Sequence, residues 1–162
     1  MNEIRLLHFA DVHIGTENYG RLDPITGLAG RLLDFLHRVD ELTDYGLAHD
    51  VNLVIFAGDA YKRHDPNATY QREFARRVKR LADARVPVVL LVGDHDTPSI
   101  AQRASSVDIF QILDVPHVTV ARDNQVHLID TGRGEVQVAT MPYPVRQRLI
   151  DRDESQALSV AE

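Results

Sequence analysis

A chain of 162 residues with 44% hydrophobic content is long enough for one sizeable core, and its balance excludes a disordered, collagenous or coiled-coil protein. The absence of cysteine excludes disulfides and thiolate metal sites, leaves oxygen and nitrogen as the strong metal donors, and suits a reducing, cytoplasmic setting. A formal net charge of −6 excludes a module that coats nucleic acid through surplus Lys and Arg, but not an enzyme whose carboxylates are meant for cations.

Arg5 and Asp11 interrupt the first apolar run, so neither a signal-peptide core nor a membrane span is expected there. Residues 3–10 read as a first strand ending at Asp11. Gly15, Gly20, Pro24 and Gly27 then mark a loop. After it, Leu28, Leu32, Phe35, Leu36, Val39 and Leu42 recur at helical spacing, which predicts an amphipathic helix ending near Gly46. The continuous apolar run 51–57 predicts a strand buried on both faces and stopped by Gly58-Asp59.

Asp65-Pro66-Asn67 reads as a turn that also caps a second helix. Tyr70, Phe74, Val78 and Leu81 supply that helix's apolar stripe, and Arg72, Arg76, Arg77, Lys79 and Arg80 its remaining, solvated face. Residues 87–92 predict a third buried strand, stopped by Gly93. The order β-α-β-α-β implies a parallel sheet with right-handed crossovers, covered on both faces. Beyond residue 105, the runs 118–120, 125–129 and 135–139 read as a β-meander with turns at Asp123-Asn124 and Gly132-Arg133-Gly134. Pro142 and Pro144 break the pattern, a second basic group follows at Arg146, Arg148 and Arg152, and the last twenty residues read as a helix or a tail.

Three polar runs follow the three strands directly: Asp11-Val12-His13, Gly58-Asp59 and Gly93-Asp94-His95-Asp96. Ligands of open α/β sheets collect beyond the carboxyl ends of the strands, so these groups are expected to converge there. Each run alone is a polar strand end; together they read as a metal site for phosphate chemistry. Asp11 and His13, two residues apart, share a face and would hold a first cation. The two oxygens of Asp59 suffice to bridge two cations roughly 4 Å apart, and Asp94 would hold the second. His95 would face the scissile phosphate as an imidazolium that stabilises charge or protonates the leaving oxygen, with Asp96 orienting it.

These three runs resemble, in order and spacing, the first signatures of the calcineurin-like metallophosphoesterase superfamily. Residues 7–15, Ala57-Gly58-Asp59-Ala60-Tyr61-Lys62 and Thr140-Met141-Pro142-Tyr143-Pro144 are most similar to the SbcD-type DNA repair nucleases within it. The resemblance implies a metallophosphoesterase-type sheet sandwich covered by helices. It further implies a manganese-dependent enzyme, with Mg2+ or another divalent ion as substitute, cutting DNA ends, hairpins and single strands by a two-metal mechanism. Dimerisation, an SbcC-like ATPase partner and His95 as the catalytic imidazole are implied with it.

Two departures stand out. Asp94 occupies a position that is usually Asn, keeping an oxygen ligand but adding negative charge beside an incoming phosphate; Asp94→Asn is expected not to abolish activity in a complete protein. The later His run and Gly-His-x-His of the family do not appear, and only His117 and His127 follow His95. Residues 1–162 are therefore expected to be the N-terminal portion of a nuclease domain whose remainder is missing, weakly active or inactive alone. Competing readings are a phosphoesterase for small molecules or phosphoproteins and an inactive docking scaffold. No Gly-x-Ser-x-Gly elbow, Walker loop or Gly-x-Gly-x-x-Gly is present to support a serine hydrolase or a nucleotide-binding fold.

Overall fold

Four parallel strands form the central sheet of the computed structural model, which describes residues 3–15, 21–98 and 103–143. In chain order the elements are β1 (Leu6–Phe9), α1 (Gly30–Ala48), β2 (Leu53–Phe56), α2 (Ala68–Asp83), β3 (Val88–Leu91), α3 (Asp108–Ile112), β4 (Val118–Ala121), β5 (Gln125–Asp130) and β6 (Glu135–Thr140). The sheet order is β1-β2-β3-β4, with Leu6 opposite Leu53, Val54 opposite Val88, and Val88 opposite Val118.

Side chains alternate across a strand, so each buried strand feeds two cores. Val54, Phe56, Val88 and Leu90 face the helices, meeting Leu32 and Leu36 of α1, Phe74 and Val78 of α2 and Phe110 of α3. Leu53 and Val89 face the other way, onto Ile129 and Val138 of the antiparallel β5–β6 hairpin. The expected covering of both faces is therefore met by helices on one side and a hairpin on the other. The helical stripes behave as their spacing predicts, with Leu32, Leu36, Val39, Thr43 and Gly46 buried on α1 and Phe74, Val78 and Leu81 on α2. Asn67 caps α2, its Oδ1 accepting from the Tyr70 amide at 3.0 Å.

Two local expectations are corrected. Residues 118–121 do not belong to a meander; they pair with β3 as a fourth parallel strand, because the unforeseen helix α3 provides the crossover and Phe110 seals it. Asp123-Asn124 consequently links the sheet to the hairpin, and only Gly132-Arg133-Gly134 closes one, between β5 and β6. The first helix ends at Ala48, close to the expected Gly46, where a Cβ would meet Leu7, Val51 and Leu81 at ordinary van der Waals distances. Gly20, Pro144, the basic group Arg146, Arg148 and Arg152, and the final segment lie outside the described residues. Among the described residues, no helix is long and apolar enough to cross a membrane.

Candidate metal centre

The loops that leave β1, β2 and β3 meet beyond the carboxyl edge of the sheet. The first two are zipped together by backbone hydrogen bonds, from the Asp11 amide to the Gly58 carbonyl (3.1 Å), His13 to Asp59 (3.0 Å) and Ile14 to Ala60 (3.0 Å). Asp11, His13 and Asp59 all sit in the left-handed region, at φ 59°, 48° and 61°. Such residues cost of order 1 kcal/mol each and persist only where surrounding structure over-determines them, as that zipper does here.

Glycine is required at both loop tips by contact. Gly58 stands at φ 101°, and a Cβ on it would lie 2.6 Å from the Cα of Gly93. A Cβ on Gly93 would run into the carboxylate and amide of Asp59. The β2 and β3 loops thus touch backbone to backbone, which brings Asp59 and His95 to one place.

One donor atom from each of His13, Asp59 and His95 lies within 4.8 Å of the others. Nε2 of His13 is 3.4 Å from Asp11 Oδ1 and 3.7 Å from Asp59 Oδ2. The His13 and His95 rings stand edge to face with centroids 4.7 Å apart. The other oxygen of Asp59, Oδ1, accepts from the His95 amide at 2.9 Å. Asp11, Asp59 and Asp94 line one cleft of about 360 Å³ together with Leu91, Met141 and Tyr143. Among the described residues, the tight cluster therefore gathers His13, Asp59 and His95. Asp11 adjoins it through His13, and Asp94 stands along the shared cleft. His95, expected only beside the metals, is within reach of one.

The expected pairing of Asp96 with His95 is not formed. The Asp96 carboxylate is fully buried and accepts from the amides of Asp59 (2.8 Å), Ala60 (3.1 Å) and Gly93 (3.2 Å). Burial pushes this carboxyl above its ordinary range and the Asp59 charge adds to that, while the three amides pull the other way. Burial, then the Asp96 charge, likewise hold the neighbouring Tyr61 hydroxyl protonated far above the usual phenol range. The group that orients His95 is the Lys62 carbonyl, 2.8 Å from Nδ1. A carbonyl only accepts, so Nδ1 carries the proton and Nε2 keeps its lone pair in the neutral ring. No sequence signal could have identified Lys62, since its contribution is a backbone atom.

The calcineurin-like phosphoesterase family matches this chain over residues 4–143. The chain belongs to that family. Among curated proteins, this phosphoesterase is similar to the DNA double-strand break repair protein Mre11 of Sulfolobus acidocaldarius, 26% identical over 77% of this chain and 31% of that protein. A component of the SbcCD nuclease of Bacillus subtilis is also similar, 26% identical over 90% of this chain and 35% of its own length. The Mre11 protein of Thermoplasma acidophilum is 35% identical over 57% of this chain and 23% of its own length. The chain spans about a third or less of these relatives. Among solved structures, a Pseudomonas putida nuclease, MPE, is similar at a TM-score of 0.40 and 21% identity, covering 76% of this chain and 50% of that one.

This membership implies divalent cations, and the donors present fit them. The imidazole of His13 and the carboxylate of Asp59, with Asp11 beside His13 and Asp94 along the adjoining cleft, form a mixed nitrogen and oxygen set suited to a first-row divalent ion, and His95 stands within 4.8 Å of the first two with its second ring nitrogen left for proton transfer.

Proposed function

We propose that residues 1–162 are the N-terminal portion of a metal-dependent DNA nuclease domain that hydrolyses phosphodiester bonds in DNA repair, as an exonuclease and endonuclease. The observation that carries this reading is the convergence of His13, Asp59 and His95 at the carboxyl edge of a parallel sheet, each delivered by a different strand. The relatives named for DNA repair and nuclease function support the substrate class.

In this reading Asp11, His13 and Asp59 would hold a first ion, and Asp94 would contribute to holding a second nearby. Two such ions, manganese being the one the family resemblance implies, would polarise the phosphoryl oxygens and supply a nucleophile at neutral pH. The chain's own part is positioning and proton transfer. With Nδ1 fixed on the Lys62 carbonyl, His95 leaves Nε2 on the side of His13 and Asp59, where the protonated ring would give its proton to the departing oxygen. Asp96 acts by holding the β2 and β3 loops in register. An SbcC-like ATPase partner, a second copy of the chain and a cytoplasmic location complete the proposal.

The test is cleavage of single-stranded and hairpin DNA by the full-length protein with and without Mn2+, beside a chromogenic phosphodiester. DNA cleavage is expected to require the metal and to fall at least a hundredfold in His95→Asn, the range of general acid catalysis. Activity on small phosphoesters alone would move the protein to the rival substrate class, and no thermal response to Mn2+ would favour a scaffold.

A further inference from the structure

The cleft that adjoins the metal cluster through Asp59 is lined by two chemical kinds of side chain, the carboxylates of Asp11, Asp59 and Asp94 and the apolar groups of Leu91, Met141, Pro142 and Tyr143. Met141 is 77% exposed and Tyr143 55%, so both side chains are accessible to a ligand in the cleft that the carboxylates share. Metal binding makes no use of them. Their root is fixed, because Thr140, the last residue of β6, is buried and its hydroxyl donates to the carbonyls of Asp123 and Gln125 at 3.1 and 3.2 Å. The run thus leaves an anchored strand end into the cleft that Asp11, Asp59 and Asp94 also line, and the volume of about 360 Å³ lies within the range of small-ligand sites.

Carboxylates for metal-bound phosphate and apolar, aromatic side chains for a planar ring, lining one cleft, match one nucleotide of a polynucleotide strand. We propose that Met141 and Tyr143 form a stacking platform for a nucleobase adjoining the scissile phosphate, and so select an unpaired base at the cut site. The proposal rests on the nuclease reading above and adds to it a specificity-determining surface. Stacking on an aromatic ring tolerates any base but requires it to leave the duplex, which favours single strands, frayed ends and hairpin loops.

The experiment is a cycle between protein and substrate, using the full-length protein, Mn2+ and single-stranded oligonucleotides carrying one abasic position stepped through the nucleotides flanking the cut. Tyr143→Ala is expected to lower kcat/KM on intact DNA about tenfold, with Tyr143→Phe near wild type. At one abasic position the wild type should lose a similar factor, and Tyr143→Ala should lose nothing further. Losses that multiply at every position, or a Tyr143→Ala enzyme equal to wild type, would overturn the platform. If Tyr143→Ala does not fold, Met141→Ala enters the same cycle with the same criteria. A wild-type protein that cuts no DNA removes the nuclease reading first and the platform with it, whereas cleavage without coupling removes the platform alone.

Discussion

Asp96 accepts from the amides of Asp59, Ala60 and Gly93, and that geometry separates two roles a sequence cannot tell apart. An aspartate that charges His95 is replaceable by asparagine at little cost in stability, but with a shifted pH profile. One that satisfies three buried amides is not replaceable by alanine, since each orphaned donor costs roughly 1–3 kcal/mol. Asp96→Ala is therefore expected to destabilise the metal-free protein by about 3 kcal/mol, and Asp96→Asn, which keeps one acceptor oxygen, by clearly less. Urea denaturation in EDTA measures both; an Asp96→Ala protein as stable as wild type would return Asp96 to the imidazole. The three motifs are legible in the sequence because strand tips converge by topology alone. The partners within them are not, because Asp96 and His95 both bond to backbone groups distant in sequence, at Asp59 and Lys62.

At the scale of elements, the basic face of α2 is solvated as its pattern suggests at Arg72, Arg76, Lys79 and Arg80, but not at Arg77, whose side chain is 13% exposed. Glu73 is 5% exposed and holds Arg72 at 2.8 Å, Arg76 at 3.0 Å and Arg77 at 3.1 Å, while Arg77 reaches across to Asp40 of α1 at 2.7 Å. Arg80 joins Asp44 of α1 at 2.7 Å. Periodicity identifies the arginines as one face but cannot show that Asp40 and Asp44 stand opposite, since that follows from how α1 and α2 pack. Burial works to raise the Glu73 carboxyl, but the hydrogen bonds from Arg72 and Arg77 and the charges of Arg76 and Arg72 outweigh it, leaving it below the ordinary 4.5. A depressed carboxyl contributes stability that is present above its unfolded value and lost as pH falls through the folded one. Glu73→Gln is thus expected to cost about 2–3 kcal/mol near neutrality, mainly by leaving Arg77 half-paired. The difference from wild type should shrink as pH drops below about 4.5, read from urea midpoints between pH 3 and 7. A constant difference across that range would show that Glu73 acts by packing instead. The placement of β4 escapes the sequence for a similar reason: residues 118–120 alternate like a meander strand, and only the crossover through α3 puts them beside β3.

For the molecule as a whole, three left-handed loop residues and two glycines in backbone contact place donors together at a cost that burial elsewhere offsets. A site assembled before its ion arrives should bind without refolding, so metal should stabilise the fold in proportion to its affinity. At one hundred times its Kd, an ion bound only by the folded state adds about 2.7 kcal/mol, which for a chain of this size corresponds to a Tm increase of roughly 5–10 °C. Thermal unfolding with Mn2+ titrated against EDTA should display that shift, and calcium, which prefers an all-oxygen shell, should produce a smaller one. His13→Ala and Asp59→Ala should each remove most of the response, whereas Asp130→Ala, at the end of the hairpin opposite Thr140 and the cleft, should leave it intact. A shift that survives the loss of both His13 and Asp59 would mean that the convergence of the three strand tips does not bind the ion.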